Sequence, residues 1–434
     1  MHNISKRRII IFILSACFVS MALVLILSNV YNISNKYAVK TGMRGVALGL
    51  INLGVKIYDP ANVIKAATGR EIPGNEKVST YATGEHELKR MLDEMPAFGG
   101  KVALNKYDNQ KIVYEKYGFG YEPYLQERKD QLNRYYQADS SLVSANDFNE
   151  TVKIRNFVKS LWKHGGDLGF NPDGFDAVEV INKAKAGKKY WCHVYALTFV
   201  QFASSAGITA RLVGLSDDGY ERDHAVAEVW SNYYRKWVLM DIDYNIHYVR
   251  TGEEVPLNTV ELHNAYVNGE TDDIRVIKGS PRPVGYEVED SESRLLQYYT
   301  YINVDLRNDW YVNDYMKGHP QASDFATLSW KDDGVPGLLN LFKKVSDHDS
   351  FYWTLNQTEI YFKRGDGNIL ELYLETVTPN MSSWSATIDD SRDIQLNNHR
   401  YSWELHEGHN SFSVRSVNQY GVKGIISTIA LVAD

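Results

Sequence analysis

Residues 190–207 read YWCHVYALTFVQFASSAG, and the rest of the 434-residue chain is organised around the cysteine near the start of that run, Cys192. Ala196, Phe199, Val200 and Ala203 recur at helical spacing, and Gly207 closes the run as a natural C′ residue. The spacing predicts a helix that opens at or beside Cys192, where free N–H groups and the helix dipole favour a thiolate. The sequence holds 2 cysteines. The other, Cys17, lies in an N-terminal apolar run, so Cys192 has no intramolecular disulfide partner in the globular part. Packing or reactivity must account for it.

The text on either side favours reactivity. Upstream, Asn146 to His164 carries Val152, Ile154, Phe157, Val158, Leu161 and Trp162 along one side of an amphipathic helix, and Gly165-Gly166 ends it. Phe175 to Ala186 reads as a second helix. Downstream come three strand-like runs, Ile208 to Val213, Ala225 to Trp230 and Trp237 to Ile242, with Asn232 to Lys236 turning the chain between the last two. His224 opens the second run and Asp241 sits in the third. A nucleophile, then a base, then a group that orients the base is the logic of a catalytic triad.

Taken singly, each residue has a plainer reading. A lone cysteine before an apolar helix is commonly just buried, a histidine on a half-buried strand is commonly a core residue, and Asp241 suits a turn. Asp243 faces the same side as Asp241 and competes with it. His193 points away from its neighbour on the helix and is read as structural, while Asn245 and His247 are candidates to line a cleft. Cys192, His193, His224 and His247 lack the close-spaced pairs typical of zinc sites, so neither metal nor cofactor is expected.

The ordered set resembles a known family. Cys192 opening a helix, Ala206-Gly207-Ile208-Thr209-Ala210-Arg211, His224-Ala225-Val226-Ala227-Glu228-Val229-Trp230 and Trp237-Val238-Leu239-Met240-Asp241 together resemble the transglutaminase-like core, a branch of the papain-like cysteine enzymes. The resemblance covers about residues 130 to 265. It implies that Cys192 attacks an amide or ester carbonyl to form a thioester, that His224 protonates the leaving amine, and that Asp241 fixes the imidazole tautomer. It also implies a second oxyanion donor upstream of the nucleophile, for which the indoles of Trp162 and Trp191 are both candidates. The chain departs from the frequent Gly-x-Cys approach, with Gly187-Lys188-Lys189-Tyr190-Trp191 before the cysteine, which bears on the shape of the acyl pocket.

The remaining text sets the surroundings. With 47 basic against 54 acidic residues and a net charge of −7, the chain offers no basic field for nucleic acid. Lys6, Arg7 and Arg8 precede an uncharged apolar run from Ile9 to Val30, about 33 Å long as a helix, which predicts a single transmembrane anchor with the rest extracytoplasmic. Leu14-Ser15-Ala16-Cys17 is the rival reading, a lipoprotein signal. Met43 to Ile57 reads as a juxtamembrane amphipathic helix or as part of a packed layer, most simply a helix docked on the main domain, and Glu85 to Met95 as a short polar helix. From about Asp324 period-two alternation in Glu359 to Phe362, Leu370 to Thr376, Tyr401 to Leu405 and Ser411 to Val417 predicts a β-sandwich. The ending WELHEGHNSFSVRSVNQYGVKGIIS resembles the last strands of immunoglobulin-like modules of bacterial surface enzymes.

The expected fold class is therefore α+β: an N-terminal transmembrane helix, a transglutaminase-like/papain-like core of helices and antiparallel sheet, and a C-terminal β-sandwich. The expected divisions are 1–30 (anchor), 31–130 (juxtamembrane region), 131–270 (catalytic core), 271–320 (connection) and 321–434 (sandwich). The leading function is acyl transfer or amide hydrolysis through a cysteine thioester on a protein or peptide outside the membrane. The alternatives are a catalytically silent scaffold, and a surface-assembly protein whose sandwich binds cell-surface polysaccharide.

Overall fold

The structure, a computed structural model, describes residues 80–95, 101–165, 175–219, 222–281, 294–312, 327–330, 342–389, 391 and 393–434. The first elements are α1 (Glu85–Asp93), β1 (Val102–Asp108), α2 (Gln126–Asn133), α3 (Ser140–Ser160), α4 (Ala177–Lys185) and α5 (Cys192–Ser205). Asp139 caps α3 and Asp176 caps α4, each carboxylate accepting two N–H groups of the first turn. In α3 the helix is interrupted at Asn146, whose φ of −155° is extended. The break turns Asp147 inward, where it accepts from Ser231 Oγ and from the N–H groups of Asn232 and Tyr233, and so closes the turn between two strands of the core.

Helix α5 is buried on every side from Val194 to Ser205. A helix apolar all round belongs in the middle of a domain, and α2, α3 and α4 pack around it. It stops at Gly207 as the sequence predicts. Gly207 has φ +78°, its N–H donates to Ser204 O, and the Ile208 N–H donates to Ala203 O, which is the Schellman arrangement.

The chain then forms β2 (Ala210–Ser216), β3 (His224–Ser231), β4 (Lys236–Met240), β5 (Ile246–Arg250), α6 (Thr259–Val267), β6 (Ile274–Lys278), β7 (Tyr301–Asp305), β8 (Thr327–Trp330) and β9 (Lys343–Val345). Among the described residues one sheet runs β4-β3-β2-β7-β8-β9, antiparallel except for β8 with β9. Strands β2 and β3 are buried along their whole length because both faces are covered. Ala225, Ala227 and Val229 face the cluster around α5, while Val226 and Trp230 face a second cluster with Trp237, Leu239 and Trp353.

The last strands are β10 (Thr358–Arg364), β11 (Ile369–Thr376), β12 (Met381–Ile388), β13 (Ile394–Leu396), β14 (Arg400–Glu404), β15 (Gly408–Asn418) and β16 (Ser427–Ala433). They form a sheet β1-β16-β15-β12-β13 and a sheet β10-β11-β14, which share one core through residues such as Phe362, Leu372, Trp403, Phe412 and Leu431. Two groups of pairings cross the expected divisions of the chain. Strand β1, from the N-terminal region, completes the C-terminal sheet, and β8 and β9, beyond residue 320, join the core sheet. Both are long-range pairings, for which a single sequence carries no register signal.

The expected transmembrane helix over Ile9 to Val30, the lipoprotein reading of Cys17 and the helix over Met43 to Ile57 all fall outside the described residues. Among the described residues no helix is long and apolar enough to cross a membrane. The 21-residue α3 has the length, but Asp147, Glu150, Lys153, Arg155 and Lys159 lie along it. The fold class is accordingly corrected to a mixed α+β chain with several sheets, with no membrane-spanning helix among the described residues.

Candidate active site

Antiparallel pairing builds the site. Strand β3 begins where β4 ends, so His224, the first residue of β3, and Asp241, which follows β4, meet at one edge of the sheet. His224 Nε2 lies 2.8 Å from Asp241 Oδ2. The other carboxylate oxygen accepts the Tyr244 N–H at 3.0 Å, and the Asp241 backbone pairs with Ile246 on both its N–H and C=O. Asn245 at φ +55° closes this turn, a left-handed conformation that asparagine tolerates. Asp241 is thus held by main chain on one side and holds the imidazole on the other.

Helix α5 presents Cys192 to the same edge. Cys192 is a free, half-buried cysteine at the first helical position. Trp191, extended at φ −86° and ψ 174°, precedes it, and no side chain caps the first turn. The Trp191 side chain therefore takes none of the free N–H groups at this end. With Nε2 engaged by Asp241, the second imidazole nitrogen is the one left for the thiol, and Cys192 is in hydrogen-bonding contact with His224. Burial pulls the imidazole toward its neutral form, but the Asp241 charge and hydrogen bond, followed by the contact with Cys192, outweigh it and hold His224 well above its ordinary pKa.

The two aspartates of the turn divide their tasks. Asp243, also buried, does not orient His224. It takes Lys159 Nζ at 3.0 Å on one oxygen and His164 Nδ1 at 2.6 Å on the other. Burial would raise its pKa, but the His164 hydrogen bond and the Lys159 charge overcome this and hold the carboxyl below its usual range. An Asp243 oxygen, the Cys192 sulfur and a His224 nitrogen lie within 4.8 Å of one another. Within this trio the Asp243 charge is paired with Lys159.

The other candidates separate clearly. Trp162 stacks on Tyr195 with centroids 4.5 Å apart and meets the Tyr190 ring edge-on. Its indole Nε1 is buried and has no hydrogen-bond acceptor among the described residues. Trp191 is half-buried and takes the edge of His164 at 4.8 Å. Asn245 and His247 line no open cleft. Both are buried and hold the Arg155 guanidinium, at 2.8 Å each, and burial pushes His247 down to about 3, with Arg155 adding to the effect. His193 packs against Phe175, with ring centroids 5.2 Å apart.

Sequence reasoning missed four groups at this site. Tyr244 and Tyr298 each bring a ring to 5.4 Å from His224 and wall the imidazole. Lys159 and His164, at and beyond the end of α3, surround Asp243. Tyr244 was legible in principle, because it follows two aspartates in the run MDIDYN. Tyr298, far along the chain, gave no local signal.

Residues 137–242 match the transglutaminase-like superfamily. The matched segment opens just before α3 and ends immediately after Asp241, so it contains Cys192, His224 and Asp241. The chain thus carries a transglutaminase-like superfamily domain over these residues, and the match includes none of the C-terminal sheets. No curated protein matches the chain.

Proposed function

We propose that this protein is a transglutaminase-like cysteine enzyme that transfers or hydrolyses the acyl group of an amide in a protein or peptide. The observation that carries the reading is the placement of His224 between the Cys192 thiol and the Asp241 carboxylate, at the N-terminus of a buried helix. The Cys192 sulfur attacks the amide carbonyl carbon and the C–N bond breaks. The His224 proton goes to the leaving amine, and a thioester remains on Cys192. Water or an amine then attacks the thioester, His224 takes the proton of the attacking group, and the C–S bond breaks to return the thiolate. Asp241 keeps the imidazole in one tautomer throughout. The Cys192 N–H and the Trp162 indole serve the oxyanion; Trp162 is the better of the two indoles because an unpaired buried donor costs roughly 1–3 kcal/mol that a developing oxyanion would recover.

The test is alkylation of the full chain by iodoacetamide against pH, read on the Cys192 peptide by mass spectrometry so that Cys17 does not interfere. Fast labelling well below the range of an ordinary thiol, about 8.5, and its loss in His224→Ala, is the expected result. Labelling along the ordinary thiol profile in the wild type would overturn the reading.

A further inference from the structure

Two aspartates stand at the Cys192–His224 pair, and the triad uses one. We propose that Asp243, with Lys159 and His164, is a positioning unit for the nucleophile: it clamps the segment carrying Trp162 and His164 against the approach to Cys192 and balances the charge that the sulfur meets. The inference rests on Cys192 being the nucleophile.

The clamp is visible on both sides of Cys192. Lys159 belongs to the last turn of α3, and its ammonium, besides reaching Asp243, lies 4.3 Å over the Tyr195 ring on the first turn of α5. The Tyr195 hydroxyl donates to the Trp162 carbonyl. His164 reaches Asp243 with its side chain while its backbone bridges to Tyr190, and its ring meets Trp191. Tyr190 and Trp191 are the two residues that precede the nucleophile. One carboxylate therefore ties the exit of α3, the entry to α5 and the turn after β4 into a single point beside the sulfur.

A buried carboxylate is expensive to keep, and its retention here is not needed to orient His224. Its charge is matched instead. The groups facing the Cys192–His224 pair are Asp241, Asp243 and Tyr244 from the turn after β4, Lys159 and His164 from α3 and its exit, and Tyr298 from the segment before β7. Asp241 is balanced by a protonated His224 and Asp243 by Lys159. Removing either member of the Lys159–Asp243 pair leaves a full charge near the sulfur, with opposite signs in the two cases.

The test repeats the Cys192 labelling profile in the full chain for four variants. Asp243→Asn leaves Lys159 unbalanced, and the acid limb of the profile moves to lower pH by about one unit. Lys159→Met leaves Asp243 unbalanced, and the limb moves to higher pH by about the same amount. The double variant returns close to wild type. Displacements of the same sign, or none, in variants whose circular dichroism is native overturn the proposal. His164→Ala covers the case in which a stranded buried charge prevents folding, because His164 is only partly buried and its loss removes one hydrogen bond from Asp243. It moves the limb upward by less than Lys159→Met; no movement, or a downward one, overturns the clamp. A wild-type profile of an ordinary thiol would sink the proposed function, whereas early wild-type labelling with unmoved variants sinks this inference alone.

Discussion

The core sheet carries one charged pair buried within its strands and another charged group at the end where β3 begins, and they are built differently. On the face away from α5, Arg211 and Glu228 are direct cross-strand partners on β2 and β3, and both side chains are 0% exposed. Arg211 donates to Glu228 Oε2 through Nε and Nη2 and to the Phe351 carbonyl through Nη1. The second Glu228 oxygen accepts from the Thr259 N–H and the Tyr352 hydroxyl. Trp237 and Trp353 cover the guanidinium at 4.3 Å and 5.0 Å. Both carboxylate oxygens are engaged and the cation is enclosed.

At the sheet edge the second group is open. Cys192 is half-buried, His164 is 21% exposed at its side chain, and the Trp162 indole lacks an acceptor among the described residues. Buried charge by itself therefore says little about function. What distinguishes the site is a half-buried thiol set beside buried, paired charge.

Substitutions can break this contrast, and their expected effects run from large to small. Asp241→Asn lets the imidazole adopt the wrong tautomer and should slow acylation by about 10⁴-fold. Single-turnover thioester formation, followed by mass spectrometry, checks it. Glu228→Ala strands Arg211 in the interior and should cost about 3–5 kcal/mol in denaturant unfolding, with the Cys192 labelling profile of the remaining folded protein unaltered. A shifted profile would mean that the two groups are coupled through β3. Trp162→Phe keeps the stacking on Tyr195 and removes the indole donor, so acylation should fall by about 10²-fold with little loss of stability.

The smallest effects are in the pH dependence of stability, where two histidines act in opposite directions. His224 is held well above its ordinary value, so its contribution is complete below about 6.5 and is lost as pH rises through its folded pKa. His247 is pushed down to about 3, so the unfolded chain binds the proton first and stability falls as pH drops below about 6.5. Urea unfolding across this range should show His224→Gln flattening the alkaline limb and His247→Gln flattening the acid one.

Much of the core was legible because local physics carries it. The apolar run ending at Gly207, the helix before it and the three strands in order follow from periodicity and turn chemistry, and the structure places them within a few residues of the expected bounds. The polar reading of Glu85 to Met95 missed that Leu88 and Leu92 are buried under the C-terminal sheets. Strand β12 was missed because its run MSSWSATI mixes serine into both faces. Asn245 and His247 are close to the site in sequence, but both side chains engage Arg155.

The sequence by itself determined that a lone thiol opens a buried helix and that a histidine and an aspartate begin and end neighbouring strands. These are short-range facts, written in period and in turn residues. Tertiary structure decided which aspartate serves the imidazole, because Asp241 and Asp243 lie on the same side and only the register of β3 with β4 sets their distance to His224. It also decided that Lys159, His164 and Tyr298 belong at the site. Those contacts join residues from as much as 84 positions apart, and local sequence holds no record of so long a closure.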